Sequence, residues 1–282
     1  GTLLAATWLH QLLPDLTPAQ QREVAALQSL TGPPEDGAIL VSTPPMATAH
    51  HSISLAALIG GGVPGAVSQA HHGLLVAGEL DQFTTAALGS LRVTLLARET
   101  TLIHGGHERR FPANFQLFAT CVRTSALRRP RLAPGLLDAI DIHLTLGASA
   151  CVMNQHPSTA AQQRAGQLLT QARTRVAAAR ARSAARWNPG ARALSGAGTA
   201  LTNAAVPTER LHTVPMPGEL AAPVCQARDA GALSRRGAEA VWRLAWTIAD
   251  LDGAKRPDLG HVEQALALRR ADGTRPAGSQ VR

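Results

Sequence analysis

HHSISLAALIGGGVPGAVSQAHHGLLVAGELDQF, residues 50–83, decides how the chain is read. Within it Gly73–Ala77 (GLLVA) is a short, continuous apolar run, bounded by paired histidines on one side and Gly78-Glu79 on the other. A run of that length with no polar alternation suits a strand buried on both faces of a parallel sheet. A second such run, FQLFATCV, occupies residues 115–122, and the stretches between the two read as helical. The front half is therefore expected to be α/β. Glu79 follows the first strand at once, where a carboxylate serves a site as readily as it caps a helix or faces solvent. His50-His51 and His71-His72 flank the strand without a carboxylate or thiolate at metal-ligand spacing, so no metal site is expected from them. Gly60–Gly62 lack the strand-before, helix-after setting of a phosphate loop and are expected to form a flexible surface loop.

Upstream, Leu4, Trp8 and Leu12 recur every four residues, a helical spacing that Pro14 ends. A second helix is predicted over residues 18–30, with Thr17 as its N-cap and Pro18 at the first helical position. His104 and His107 flank Gly105-Gly106, which reads as the turn of a hairpin. Past residue 158 the strand signals fade, and helices are predicted over 159–187, 234–251 and 258–270. The expected division is thus an α/β core over 1–150, a helical domain over 151–271 and a flexible tail over 272–282.

A formal charge of +8 comes almost wholly from arginine, since the chain has one lysine, Lys255. A surplus of that size favours anionic partners such as nucleic acid or nucleotide phosphates, although biased codon usage also yields an Arg-rich, Lys-poor chain. No acidic residue lies between Asp141 and Glu209, whereas seven arginines do. On the predicted helix, Leu169, Ala172, Val176 and Ala179 form a narrow apolar seam. Arg164, Arg175, Arg182 and Arg186 flank one side, and Arg173 and Arg180 the other. That pattern fits a core-facing helix with a solvated basic rim, or a phosphate-contacting surface whose binding falls steeply with salt. Three widely spaced cysteines suggest neither a disulfide framework nor a zinc ribbon, and a cytoplasmic location is expected. No run of eighteen apolar residues suggests a membrane span.

Residues 50–83 closely resemble the stretch of magnesium chelatase subunit I and ComM-like AAA+ ATPases that runs from a paired histidine through a Gly-rich turn to the Walker B strand. FPANFQLFAT (111–120) resembles their strand before sensor 1, and LLDAIDIHL (136–144) the segment that holds the arginine finger. LSRRGAEAVWRLAWTIADLDG (233–253) and HVEQALALR (261–269) resemble their C-terminal lid helices. The resemblance implies an AAA+ parallel-sheet core followed by an all-α lid, assembled as a homo- or hetero-oligomeric, hexameric ring. It implies ATP and Mg²⁺ as cofactors, and for the ComM-like branch a DNA branch-migration helicase. By the same resemblance Glu79 is the Walker B glutamate, Gly1-Thr2 the end of the P-loop and Arg236 a sensor-2-like arginine.

Most of the hydrolytic set departs from that pattern. A P-loop needs a lysine on the β/γ-phosphates, and no lysine stands near Gly1-Thr2. Gly78 replaces the Walker B aspartate, with Asp81 two places late. Val122 replaces the sensor 1 asparagine, with Arg123 beside it, and Ala139 stands at the arginine-finger position, whose charge is worth roughly 10³–10⁵ in rate. The glycine-rich loop and its interior strand are absent too, and a buried unsatisfied backbone group costs about 1–3 kcal/mol. Residues upstream of Gly1 are therefore expected in the parent gene, and a degenerate, N-terminally truncated family member is the expectation. Three functions remain open: an ATP-dependent DNA-remodelling protein, a non-catalytic AAA+ assembly or DNA-binding module, and a decaying gene product. The retained apolar residues Leu74, Leu75, Val76, Leu136, Leu137 and Ile140 argue against decay.

Overall fold

A computed structural model describes residues 2–32, 40–104, 107–121, 132–145, 159–188, 202–214 and 217–269. Gly1, the Gly105-Gly106 turn, Val122, Arg123, the boundary near residue 150 and the tail over 272–282 lie outside the described residues. The chain divides into two compact units, one over Gly1–Ala139 and one over Ile140–Leu194 and Gly198–Arg282.

The first unit opens with α1 (Thr2–Gln11) and α2 (Pro18–Ser29). Helix α2 starts where the sequence asks it to. Thr17 accepts from Gln20 N–H through its hydroxyl, Gln20 Oε1 accepts from Thr17 N–H at 2.9 Å, and Pro18 needs no intrahelical donor partner. Strand β1 (Met46–Ala49) follows, then the short helices α3 (Leu55–Ile59) and α4 (Ala66–Gln69) and strand β2 (Leu74–Ala77). Helix α5 (Thr85–Ala97), the hairpin β3 (Glu99–His104) and β4 (His107–Pro112), strand β5 (Gln116–Ala119) and helix α6 (Pro134–Ala139) complete the unit.

Strands β1, β2 and β5 form a parallel sheet with β2 in the middle, in the register Met46 to Leu74 and Leu74 to Gln116. All four residues of β2 are buried, as a strand covered on both faces requires. Ala6 of α1 packs on Leu74 and Val76, joined by Leu9, Leu13 and Phe118. In the glycine run 60–62, expected as a flexible surface loop, Gly60 is buried and constrained. Gly60, at φ +114°, bridges to Pro64, and a Cβ on it would lie 2.7 Å from Val63 O. Gly65 is tighter still, 2.4 Å from Gly60 N, so backbone packs on backbone and the turn between α3 and α4 is fixed.

The second unit contains α7 (Thr159–Trp187), α8 (Thr208–Leu211), α9 (Gly218–Asp229), α10 (Arg235–Asp252) and α11 (Leu259–Arg269). Ser234 caps α10 by accepting from Gly237 N–H at 2.8 Å, and Gly253 ends it in the left-handed region at φ +75°. Val241, Ala245 and Ile248 of α10 bury against Val224 and Ala227 of α9 and Val262, Ala265 and Leu266 of α11. A second cluster joins Trp187, Val206, Leu211 and Trp246. The Trp187 and Trp246 rings meet edge to face, with centroids 5.9 Å apart. No helix among the described residues is long and apolar enough to cross a membrane.

Candidate functional site

Parallel pairing in register brings three strand ends to one edge of the sheet. Ala49 lies beside Ala77, and Ala77 beside Ala119, so the residues that follow each strand become neighbours. That carboxyl edge is where open α/β sheets bind ligands. Here it carries His50 and His51 after β1, Gly78 and Glu79 after β2, and Thr120 after β5. Thr120 fixes the turn after β2. Its N–H donates to Ala77 O at 3.0 Å, its carbonyl accepts from Leu80 N–H at 2.8 Å, and its hydroxyl accepts from Glu79 N–H at 3.4 Å.

Glu79 adopts the left-handed region, φ 53° and ψ 52°, which costs a non-glycine residue about 1–3 kcal/mol. This conformation turns the carboxylate out to solvent, 3.9 Å from His51 Nε2. Asp81 lies on the 3₁₀ turn Leu80–Gln82, where Oδ2 accepts from Gln82 Nε2. The neighbouring Cys121 thiol is pushed up from its ordinary pKa, first by burial and then by the Asp81 charge. A Cβ on Gly78 would meet no atom within 4 Å, so a side chain can start from that position without a clash. Ala139, by contrast, is buried at the end of α6. An arginine at that position would have to displace core before reaching any neighbour.

Thr2 begins α1. Arg236 belongs to the helical unit, on the first turn of α10, where its guanidinium lies 3.1 Å from Asp141. Arg269 of α11 shares that carboxylate and donates to Ile140 O, so the segment after α6 is tied to α10 and α11.

The arginines of α7 part into two groups. Arg164 is exposed. Arg175, Arg182 and Arg186 turn to α10, where Arg175 pairs with Asp252 at 3.5 Å and Arg182 donates to Asp250 O at 2.7 Å. Arg186 makes a bidentate ion pair with the buried Asp250 and lies 4.1 Å over the Trp246 ring. Asn203 completes this centre. Its Oδ1 accepts from Ser183, Arg186 and Trp187, and its Nδ2 donates to Asp250 at 2.8 Å and to Thr247 at 3.2 Å. Every polar atom of that amide is thereby satisfied. Arg175 and Arg182 stay exposed, as a solvated basic rim requires, while Arg186 departs from it by entering a buried ion pair.

The paired histidines 71 and 72 find a carboxylate that sequence spacing did not reveal. Glu23 of α2 lies 3.1 Å from His71 Nε2 and 2.7 Å from His72 Nε2. The three groups offer ligand atoms within 4.8 Å of one another. A backbone N–H decides their chemistry, because Asn114 N donates to His71 Nδ1 at 3.0 Å. A neutral ring that accepts at Nδ1 carries its proton on Nε2, which then donates to Glu23 and has no lone pair for a metal. The cluster is a hydrogen-bonded triad.

Comparison with known proteins gives the same layout. The family description "Magnesium chelatase, subunit ChlI" matches residues 1–126, and "Magnesium chelatase, subunit ChlI C-terminal" matches residues 169–269. A parallel-sheet core joined to a helical C-terminal domain is the AAA+ arrangement. The chain belongs to the magnesium chelatase and ComM-like family of AAA+ proteins. It is 33% identical over 297 residues to an uncharacterized protein of Mycobacterium tuberculosis, covering 98% of this chain and 56% of that one. It is 35% identical over 122 residues to YifB of Escherichia coli and to the competence protein ComM of Haemophilus influenzae. Each of those matches covers 42% of this chain and 24% of the relative. The chain spans about half the length of the Mycobacterium relative.

Proposed function

We propose that the chain is an AAA+ module of DNA-remodelling type in which ATP hydrolysis is impaired. The observation that carries this reading is the carboxyl edge of the sheet. Glu79 is present to orient a water, but Gly78 supplies no carboxylate to the magnesium shell that an AAA+ site needs. Ala139, buried in α6, supplies no charge to a neighbour's nucleotide. ATP and Mg²⁺ are the ligands the family resemblance implies, and Gly1, Thr2 and Arg236 are the residues it assigns to the nucleotide. The helical unit would serve as the lid, and the working form would be a homo- or hetero-oligomeric ring in which a complete relative can contribute the missing groups.

Steady-state turnover by the purified protein is expected to match buffer, and Gly78→Asp is expected to fold normally and remain inactive. Loss of the arginine finger alone accounts for roughly 10³–10⁵ in rate. A turnover near 1 s⁻¹ in the unaltered chain overturns the reading.

Contact with DNA is proposed for the basic helix α7, through Arg164 on its exposed part. Removing one phosphate-binding arginine lowers the slope of log K against log[salt] by about one. Arg164→Ala is therefore expected to weaken binding to all sequences alike, with the slope reduced by about one and the melting temperature unchanged. Arg175, Arg182 and Arg186 are engaged by α10, which favours a second reading, a non-catalytic module that uses α7 for assembly. Absence of DNA binding at low salt selects that second reading.

A further inference from the structure

We propose that Glu23, His71 and His72 form a proton-operated clamp that fastens α2 to α4 and the turn leading into β2, and lets go on acidification. Three separate stretches of chain meet there. Glu23 comes from α2, His71 and His72 lie between α4 and β2, and Asn114 lies between β4 and β5. Both histidines donate to the same carboxylate oxygen of Glu23. Asn114 is held twice, its N–H by His71 Nδ1 at 3.0 Å and its carbonyl by His72 N–H at 2.7 Å. His72 reaches this position at φ +60°, a left-handed conformation that a histidine adopts only where surrounding contacts enforce it. Gln20, part of the α2 capping box, adds a contact to His72 Nδ1.

The buried ring of His71 is the trigger, because both its nitrogens are already committed. A second proton must enter at Nδ1, where it faces the Asn114 N–H, and two donors cannot share one bond. The ring must then leave Asn114, and with it goes the seam that places α2 against α4 and the turn leading into β2. That seam is weakly built. Beneath the clamp Val24 and Leu27 of α2 face Ser68, Gln69 and His71, and the fully buried Ser68 hydroxyl has no hydrogen-bond partner among the described residues. Among the described residues, the titratable groups acting on His71 are Glu23 and His72.

The direction of the pH effect follows from which form the fold favours. Burial, the largest cause, pushes His71 below the ordinary histidine range, and only in part does the Glu23 carboxylate offset it. The unfolded chain therefore binds a proton in a window just below pH 6.5 where the closed clamp does not, and closure weakens as pH falls through that window. Glu23 is itself held below the ordinary carboxylate range, first by the hydrogen bond from His72 and then by that from His71. Its contribution is present above about pH 4.5 and is lost at lower pH.

Amide hydrogen exchange of the full chain, corrected for intrinsic rates, tests the clamp between pH 8 and pH 5. Protection over residues 18–29 and at Asn114 is expected to fall by up to about ten-fold per pH unit below pH 6.5, the slope set by one proton. Residues 235–269 of the helical unit are expected to keep theirs. Glu23→Gln is expected to lower protection of α2 already at pH 8. His72→Asn, with a side chain suited to the left-handed region, is expected to fold and to retain the pH response that His71 confers. Protection independent of pH, or lost equally from residues 235–269, overturns the proposal. So does a gain of protection on adding one equivalent of Zn²⁺ at pH 7, which would make the triad a metal site.

Discussion

Asp250→Ala is expected to unfold the helical unit well before the α/β unit. Asp250 is 1% exposed and neutralises Arg186, whose own side chain is 17% exposed. Removing one partner of a buried pair leaves the other charge desolvated without compensation, at a cost of about 3–5 kcal/mol. Asn203 Nδ2 also loses its acceptor. The midpoint of thermal unfolding should drop by about 10 °C or more, followed by the fluorescence of Trp187, Trp242 and Trp246. Arg186→Met combined with Asp250→Leu should cost much less than either change alone, because no charge is then stranded. A single Asp250→Ala variant that melts within a degree or two of the parent would mean that the network carries no net stability.

Gly73→Ala is expected to have an effect of similar size in the other unit. A Cβ there would lie 1.8 Å from Pro45 O, the carbonyl that accepts from Leu74 N–H at 2.9 Å. That bond is the first rung between β1 and β2, and the obstructing atom is backbone, so no side-chain rotation relieves it. The edge strand must move away, with a cost of about 3 kcal/mol or more. Trp8, the one tryptophan in residues 1–139, reports on this unit through α1, which packs on β2. A soluble, unshifted Gly73→Ala variant would show that β1 can be displaced without loss.

Much of the fold was legible because it follows from local rules. The Thr17-Pro18-Gln20 signal gave α2, and the uninterrupted apolar run gave β2. The apolar periodicity and end signals gave α7, α10 and α11 to within a residue or two. Strand β1 was not legible. MATA has neither clear alternation nor length, and it becomes a strand only by pairing with β2. Gly60 looked like a loop because glycines advertise freedom, whereas its positive φ and backbone contacts show a position where nothing larger fits.

Side-chain partnerships were not readable from the sequence. No acid lies between Asp141 and Glu209, and the helical wheel set Arg164, Arg175, Arg182 and Arg186 on one side, of which the last three reach α10 while Arg164 is exposed. Their partners lie more than sixty residues further along, on α10: the Asp252 and Asp250 carboxylates for Arg175 and Arg186, and the Asp250 carbonyl for Arg182. Glu23 was hidden for the same reason, 48 residues before the histidine it receives. Asn203 gave no signal at all, since its importance comes entirely from five bonds that meet in space.

The open space beside Gly78 has a consequence for the history of such a protein. A Cβ at that position meets no atom within 4 Å, so the packing of β2 does not register whether a side chain starts there. Chemistry and architecture are inherited separately along this edge of the sheet. Selection on folding alone would preserve β2 and its packing indefinitely while remaining blind to whether the adjoining position can hold a metal ion.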